Sequence, residues 1–324
     1  MTILRDEDAL LKRVETVFSR QDGGAVRQGI GDDAALLAPR KGFETVLTCD
    51  WFLEGTHFLL DRHPADAVGW KCLSRAVSDI AGLGAVPRCF LLSIALPLER
   101  TGRWLDRFLA GLLRVSKKLR CPLAGGDTTR SKEILVNIAV VGEVTAGRAV
   151  LRSGATPGDQ LFVSGTLGEA DLGLRYLLEK RGLARAANTA LRKHLYPEAR
   201  IRLGQWLGKN TLATAMMDIS DGLSTDLPRL CAASGVGARV HARWLPLTKR
   251  TKPDDALQLA LHGGDEYELL FAVKAKNAGR LSPAYQGLRL TRIGEITASK
   301  KIVLEKDGRD ETLASGGWDP FRKS

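Results

Sequence analysis

The chain has 324 residues, 44% hydrophobic and 26% charged, with a formal net charge of +11. That length predicts two domains, and the composition is that of a globular protein. It excludes a membrane protein, because no apolar run approaches the length of a bilayer span, and the acidic start over residues 1–8 is unlike a secretory leader. A cytoplasmic location with no membrane partner is therefore expected. The five cysteines, Cys49, Cys72, Cys89, Cys121 and Cys231, are scattered without a C-x-x-C pair, which suits a reducing compartment. Basic residues are dispersed and only 6% of residues are aromatic, with no helix-turn-helix, zinc-finger or RNP signature. Nucleic acid is not expected as a partner. The positive field suits small anionic metabolites, or else it is a solvated basic surface.

In chain order, helical periodicity over 3–20 puts Leu10, Leu11, Val14, Val17 and Phe18 on one face. Gly29-Ile30-Gly31-Asp32-Asp33 follows. Its glycines permit a sharp turn that presents two adjacent carboxylates, either solvated or gathered on an oxygen-seeking divalent cation. Thr45-Val46-Leu47-Thr48-Cys49 reads as a strand ending at Asp50, a place where α/β proteins put ligands. Pro64 opens a helix to about Leu83, with Asp79 inside it, either on an exposed edge or held by a cation. A strand over 89–96 and a helix over 101–119 lead to Gly125-Gly126-Asp127-Thr128-Thr129-Arg130. There the glycines allow main-chain N–H groups close to a phosphate, and Asp127 is a metal donor. A third strand covers 134–144.

Residues 147–158, rich in glycine and carrying Arg148 and Arg152, read as the junction between domains 1–146 and 147–324. Strands are expected over 159–164 and 211–217, and helices over 197–207 and 223–233. Asp218-Ile219-Ser220-Asp221-Gly222 sits at a strand-to-helix junction, where a helix N-terminus favours phosphate and the carboxylates suit its metal. Simple helix capping by Ser220 or Asp221 is the alternative. Gly263-Gly264-Asp265-Glu266 repeats the double-glycine-plus-acid design before a strand over 268–273, and Trp318 near the end plugs a core or stacks on a flat ligand.

P-loop, dinucleotide, nucleophile-elbow and zinc-protease motifs are absent. What recurs is aspartate beside glycine, serine or threonine, a donor set for Mg²⁺ and phosphate rather than zinc or copper. The residues thus predict a magnesium-dependent α/β (α+β) enzyme acting on a nucleoside triphosphate.

Taken in order, the motifs at 29–33, 125–130, 218–222 and 263–269, with His57, Pro64-Ala65-Asp66, Leu195-Tyr196-Pro197-Glu198 and the closing Gly317-Trp318-Asp319-Pro320-Phe321, resemble the thiamine-monophosphate kinase family over essentially the whole chain. This family is related to aminoimidazole ribonucleotide synthetase, selenophosphate synthetase and a hydrogenase maturation protein. The resemblance implies an N-terminal mixed-sheet domain that binds ATP and metal and forms a homodimer, and a C-terminal α/β domain. It implies direct in-line transfer of the γ-phosphoryl of ATP to thiamine monophosphate, the last step to thiamine diphosphate, with several Mg²⁺ ions. Carried over by position, Asp33, Thr48, Cys49, Asp50, Asp79, Asp127, Asp218 and Asp221 would hold metal. Gly126, Asp127, Arg152 and Ser220 would contact ATP, and His57, Asp265 and Trp318 would contact thiamine monophosphate. Two departures stand out: Cys49 where the family usually has threonine, and Asp265-Glu266 where Glu-Asp is common.

Overall fold

The computed structural model describes residues 7–18, 25–30, 34–179 and 185–321. It divides into two compact units, Met1–Ile80 with Ala85–Gly147, and Ala81–Gly84 with Arg148–Ser324.

The first unit runs α1 (Glu7–Phe18), β1 (Val26–Gln28), β2 (Leu36–Leu37), β3 (Phe43–Leu53), α2 (Ala65–Gly82), β4 (Val86–Leu96), α3 (Arg103–Leu119), β5 (Leu123–Arg130) and β6 (Leu135–Thr145). Its main sheet has the order β3-β6-β4-β5, parallel only between β4 and β5. Period-2 alternation gives this sheet two unlike faces. Phe52, Phe90, Leu92, Ile94, Val136 and Ile138 are buried on one face. The opposite face carries Leu47, Trp51 and Leu91, and Leu47 is 73% and Trp51 55% exposed. The strand expected to end at Asp50 continues to Leu53, because Trp51 and Phe52 are β-prone and the ladder with β6 extends to Leu53 opposite Leu135. Asp50 therefore lies inside a strand, not at its end.

The second unit runs β7 (Gln160–Ser164), α4 (Glu169–Glu179), α5 (Arg185–Leu195), α6 (Ile201–Lys209), β8 (Ala213–Ile219), α7 (Leu223–Ser234), β9 (Gly237–His241), α8 (Pro253–His262), β10 (Glu268–Val273), α9 (Ala275–Ala278), β11 (Ala284–Tyr285), β12 (Leu288–Thr297), β13 (Ile302–Lys306) and β14 (Arg309–Thr312). Its sheet has the order β14-β13-β9-β12-β7-β10-β8, with β11 added to β12. The pairs are antiparallel except β13 with β9. Every residue of β10 is buried, since the strand is paired on both sides and residues 269–273 are continuously apolar; Glu268 at its start is buried with them. One core side gathers Leu161, Val163, Met217, Leu223, Leu227 and Leu270, and the other Phe162, Met216, Leu203, Leu207 and Phe271. The helix expected from Pro197 begins at Ile201.

Candidate active site

In the first unit, Thr48 and Asp50 are two apart on β3 and share its helix-facing side. The Thr48 hydroxyl donates to Asp79 on α2, and Arg75, one helical turn earlier, reaches Asp50 at 3.4 Å. Asp79 is thus anchored within the helix by a strand hydroxyl, which answers the cost of a carboxylate placed there. Cys49 faces the other way. Its thiol lies 3.1 Å from Asn137 Nδ2 on the open face of the sheet, so the residue could offer a cation on the Asp50 side only its carbonyl oxygen.

Gly126 and Asp127 lie on β5, the far edge of the sheet. Gly126 shares a row with Asp50 through Leu92 and Ile138, while Asp127 projects to the opposite face in the row of Ser93, Asn137 and Trp51. Three strand spacings separate the two edges, about 14 Å. One ion therefore cannot take both Asp50 and Asp127 of the same chain. Gly126 is required sterically: a Cβ there would sit 1.8 Å from the Leu92 carbonyl oxygen. Beside it opens a cavity of about 470 Å³, walled by Leu11, Val14, Ile30 and Leu92 and edged by Gly126 and Asp127. Largely apolar walls, with Glu15 among them and the main chain of Gly125 and Gly126 at the edge, suit a heterocyclic base carrying phosphates. Asp33 lies outside the described residues. His57 follows β3, where its Nδ1 accepts the Leu53 N–H at 3.0 Å and its ring sits 5.7 Å from that of Phe52. That bond places the neutral ring's proton on Nε2.

In the second unit, three loops meet. Buried Asp218 is the penultimate residue of β8, and residues 220–222 lead into α7. Neither Ser220 nor Asp221 caps the helix; Gly222 takes that position at φ +104°. Instead Asp226, fully buried, accepts the N–H groups of Ser220 at 3.0 Å and Asp221 at 2.9 Å. Arg229 bridges Asp226 at 2.8 Å and Asp221 at 2.5 Å. Burial pushes the Asp226 carboxyl up to about 6. No motif in the sequence announces this support, and its trace there is the acid Asp226 in the first turn of the following helix.

The 263–268 loop lies alongside. Asp265 N–H donates to Ser220 O and Tyr267 N–H to Ile219 O, both at 2.8 Å. Glu266 turns inward to accept the N–H groups of Gly168 and Ala170 at the start of α4, and pairs with Lys193 at 2.6 Å. Glu268 takes a two-pronged bond from Arg200. Lys193 stays above its ordinary range, because Glu266 and Glu268 outweigh the larger downward push of burial. Its neighbour His194 approaches Asp265 Oδ2 at 3.8 Å.

The tail completes the group. Trp318 N–H bonds Asp221 O at 2.9 Å, and Gly317 bonds Thr225 Oγ1 at 3.2 Å. A Cβ on Gly317 would meet Asp221 O at 1.9 Å, so only glycine lets the tail lie this close. The Trp318 ring remains 47% exposed, which excludes the core-plug alternative. The second unit thus brings together Asp218, Ser220, Asp221, Asp265 and Trp318. Arg152 is exposed on the segment before β7, and its carbonyl accepts the Ser234 hydroxyl at 2.8 Å.

Among the described residues, no group of three or more acidic, histidine or cysteine side chains is clustered for a metal. The donors nevertheless fit magnesium. They are hard oxygens, and Mg²⁺ is commonly held by one or two carboxylates together with waters and substrate phosphates rather than by a protein cage.

Residues 31–144 match the family AIR synthase related protein, N-terminal domain, and residues 156–307 match the family AIR synthase related protein, C-terminal domain. The chain therefore has the two-domain architecture of the AIR synthase-related enzymes. It is 38% identical over 305 residues to thiamine-monophosphate kinase of Escherichia coli K12, covering 91% of this chain and 92% of that protein. The crystal structure of thiamine-monophosphate kinase from Stenotrophomonas maltophilia K279a superposes with a TM-score of 0.83 at 35% identity, covering 94% of this chain and 98% of that one. AaThiL complexed with AMPPCP and TMP superposes with a TM-score of 0.79 at 30% identity, covering 99% and 100%. The chain belongs to the thiamine-monophosphate kinase family.

Proposed function

We infer that this chain transfers the γ-phosphoryl group of ATP to the phosphate of thiamine monophosphate, giving thiamine diphosphate and ADP. The observation that carries the reading is 38% identity to a thiamine-monophosphate kinase over 91% of this chain. Supporting it, an apolar cavity rimmed by Gly126 and Asp127 in one unit suits a nucleotide. An exposed indole beside a supported aspartate in the other suits a flat, cationic, nitrogen-bearing ring.

The accepting phosphate is already largely ionised near neutral pH, so no dedicated base is required. The residues' work is to hold two anions in line. Gly126 with Asp127, Arg152 and Ser220 would bind ATP, while His57, Asp265 and Trp318 would bind thiamine monophosphate. Asp33, Thr48, Asp50, Asp79, Asp127, Asp218 and Asp221 would hold magnesium, and Cys49 would add at most its carbonyl. Bound magnesium would neutralise phosphate charge. The separation of Asp50 from Asp127 on opposite sheet edges favours more than one ion.

A homodimer accounts for the open face of the first sheet. Leu47, Trp51 and Leu91 lie exposed on this face with Cys49, Ala139 and Val141 in the rows between them, an apolar patch of the kind proteins cover. A second copy presenting the same face would bury it. A cytoplasmic location fits the five free cysteines, and no helix among the described residues is long and apolar enough to cross a membrane.

The test is incubation with ATP, Mg²⁺ and thiamine monophosphate, followed by chromatography of the thiamine phosphates. Thiamine diphosphate appearing only when all three are present supports the reading. Absence of product from folded, ATP-binding protein would move the assignment to another phosphate acceptor.

A further inference from the structure

The main chain from Ser315 to Trp318 lies against the first turn of α7 and the last residue of α8, held chiefly by hydrogen bonds. The Thr225 and Ser315 hydroxyls bond at 3.0 Å, and Gly316 N–H donates to Ser224 Oγ at 3.2 Å. Gly317 N–H donates to Thr225 Oγ1 at 3.2 Å and Trp318 N–H to Asp221 O at 2.9 Å. Leu313 is buried in the core, but from Ala314 to Phe321 only Gly317 is buried, so no apolar side chain anchors the segment. A segment held this way opens at a fraction of the cost of global unfolding.

One of these bonds is backed by a buried relay. Ser224, fully buried, places its Oγ 2.8 Å from His262 Nδ1. That oxygen already accepts the Gly316 N–H, and among the described residues no other acceptor is within reach of its proton. The hydroxyl therefore donates to Nδ1, and the neutral imidazole carries its own proton on Nε2. Gly316 lies so close to the ring that a Cβ on it would sit 2.5 Å from Nδ1. An imidazolium reverses the bond: Nδ1 becomes a donor, and the Ser224 proton is left buried without an acceptor. Burial already holds His262 below its ordinary 6.5. The charged groups of the elements packed on α8 are engaged elsewhere. On α4, Glu169 pairs with Arg250, and Asp171, beside Gly263, pairs with Arg175. On the α7 side, Asp221 and Asp226 pair with Arg229. Asp265 takes the Tyr267 hydroxyl, and Asp319 the Phe321 N–H.

We propose that His262 and Ser224 form a pH-sensitive latch: the neutral imidazole holds the Ser224 hydroxyl where it accepts the Gly316 N–H, and an imidazolium releases residues 315–318, with the indole they carry, from α7. Opening of the segment returns the imidazole to water and to its ordinary value. The latch is therefore full above about pH 6.5 and is lost as pH falls through the lower value of the docked state. It stands on the geometry of the second unit, whichever phosphate acceptor the chain uses.

The experiment is hydrogen exchange read by mass spectrometry on the full-length protein without substrates, from about pH 5 to 8, with rates corrected for intrinsic exchange at each pH. The native protein, Ser224→Ala and His262→Asn are compared. In the native protein, protection over residues 314–321 should fall severalfold between the upper and lower pH while that of β10 holds. His262→Asn supplies an amide oxygen that accepts the hydroxyl and does not titrate, so the segment should stay protected at every pH. Ser224→Ala should lose about fivefold in protection at the upper pH, the effect of one neutral hydrogen bond. Protection independent of pH in the native protein overturns the latch by itself. So does a pH dependence that survives His262→Asn, since it would belong to Asp171 or another neighbour. Unchanged protection in Ser224→Ala removes the hydroxyl from the device and overturns it equally.

Discussion

Arg200→Met isolates the ion network that carries the 263–268 loop. Glu268 is fully buried and takes Arg200 Nε at 2.8 Å and Nη2 at 2.6 Å, Ser164 Oγ at 2.5 Å and Lys193 Nζ at 3.2 Å. Methionine keeps most of the stem and removes the fork. Breaking a buried pair from one side costs about 3–5 kcal/mol, and the low end applies because Lys193 and Ser164 remain. For a unit of this size, about 3 kcal/mol lowers the unfolding midpoint by about 6–12 °C.

The loss also has a pH signature. Burial is the largest influence on Glu268 and pushes it up, but Lys193 and Arg200 together outweigh it and hold the carboxyl below its ordinary 4.5. A depressed carboxyl contributes stability that is present above its unfolded pKa and lost as pH falls through the folded one. The gap between the native protein and Arg200→Met is therefore full at pH 7 and narrows below about pH 4.5. Differential scanning calorimetry from about pH 2.5 to 8 measures both, because the narrowing lies below the unfolded value. The double variant Arg200→Met/Glu268→Gln should lose less than the single one, since no uncompensated charge is left. A midpoint shift under about 2 °C, or a gap that does not change with pH, would refute the reasoning.

Gly126→Ala forces a Cβ against the Leu92 carbonyl and should lower the unfolding midpoint by several degrees and weaken ATP binding; unchanged values for both would show that β5 can move aside. Leu47→Glu with Trp51→Glu places charges on the open sheet face and should yield monomers by sedimentation, whereas a persistent dimer would place the interface elsewhere. Cys49→Ala should leave the Mg²⁺ concentration for half-maximal activity unchanged, because the thiol faces away from Asp50; an increase would return it to the ligand set. The raised Asp226 carboxyl contributes stability that is present below its unfolded 3.8 and lost as pH rises through about 6. Asp226→Asn should remove that component from the midpoint-versus-pH curve, and a curve of unchanged slope between pH 4 and 7 would contradict it.

Much of this protein is legible along the chain. Hydrophobic period and breaker residues locate α2, β4, β6, α7 and β10 to within a few residues, because burial on one face forces a 3.6 or 2 repeat. The acidic motifs are legible for the same local reason: glycine beside aspartate marks turns and strand edges. Only the folded chain decides which of these aspartates share a site. Asp50 and Asp127 look equivalent in sequence, yet sheet order sets them on opposite edges and strand alternation on opposite faces. Thr48 and Cys49 are adjacent, yet the pleat sends one to Asp79 and the other to Asn137. The supports of the second site come from tertiary structure as well. Lys193, His194 and Arg200 reach the 263–268 loop from helical segments some seventy residues away, and no local pattern announces such a contact. Local propensity fixes what each segment is, whereas the pairing of distant segments, which only the whole core can favour, fixes what each carboxylate faces.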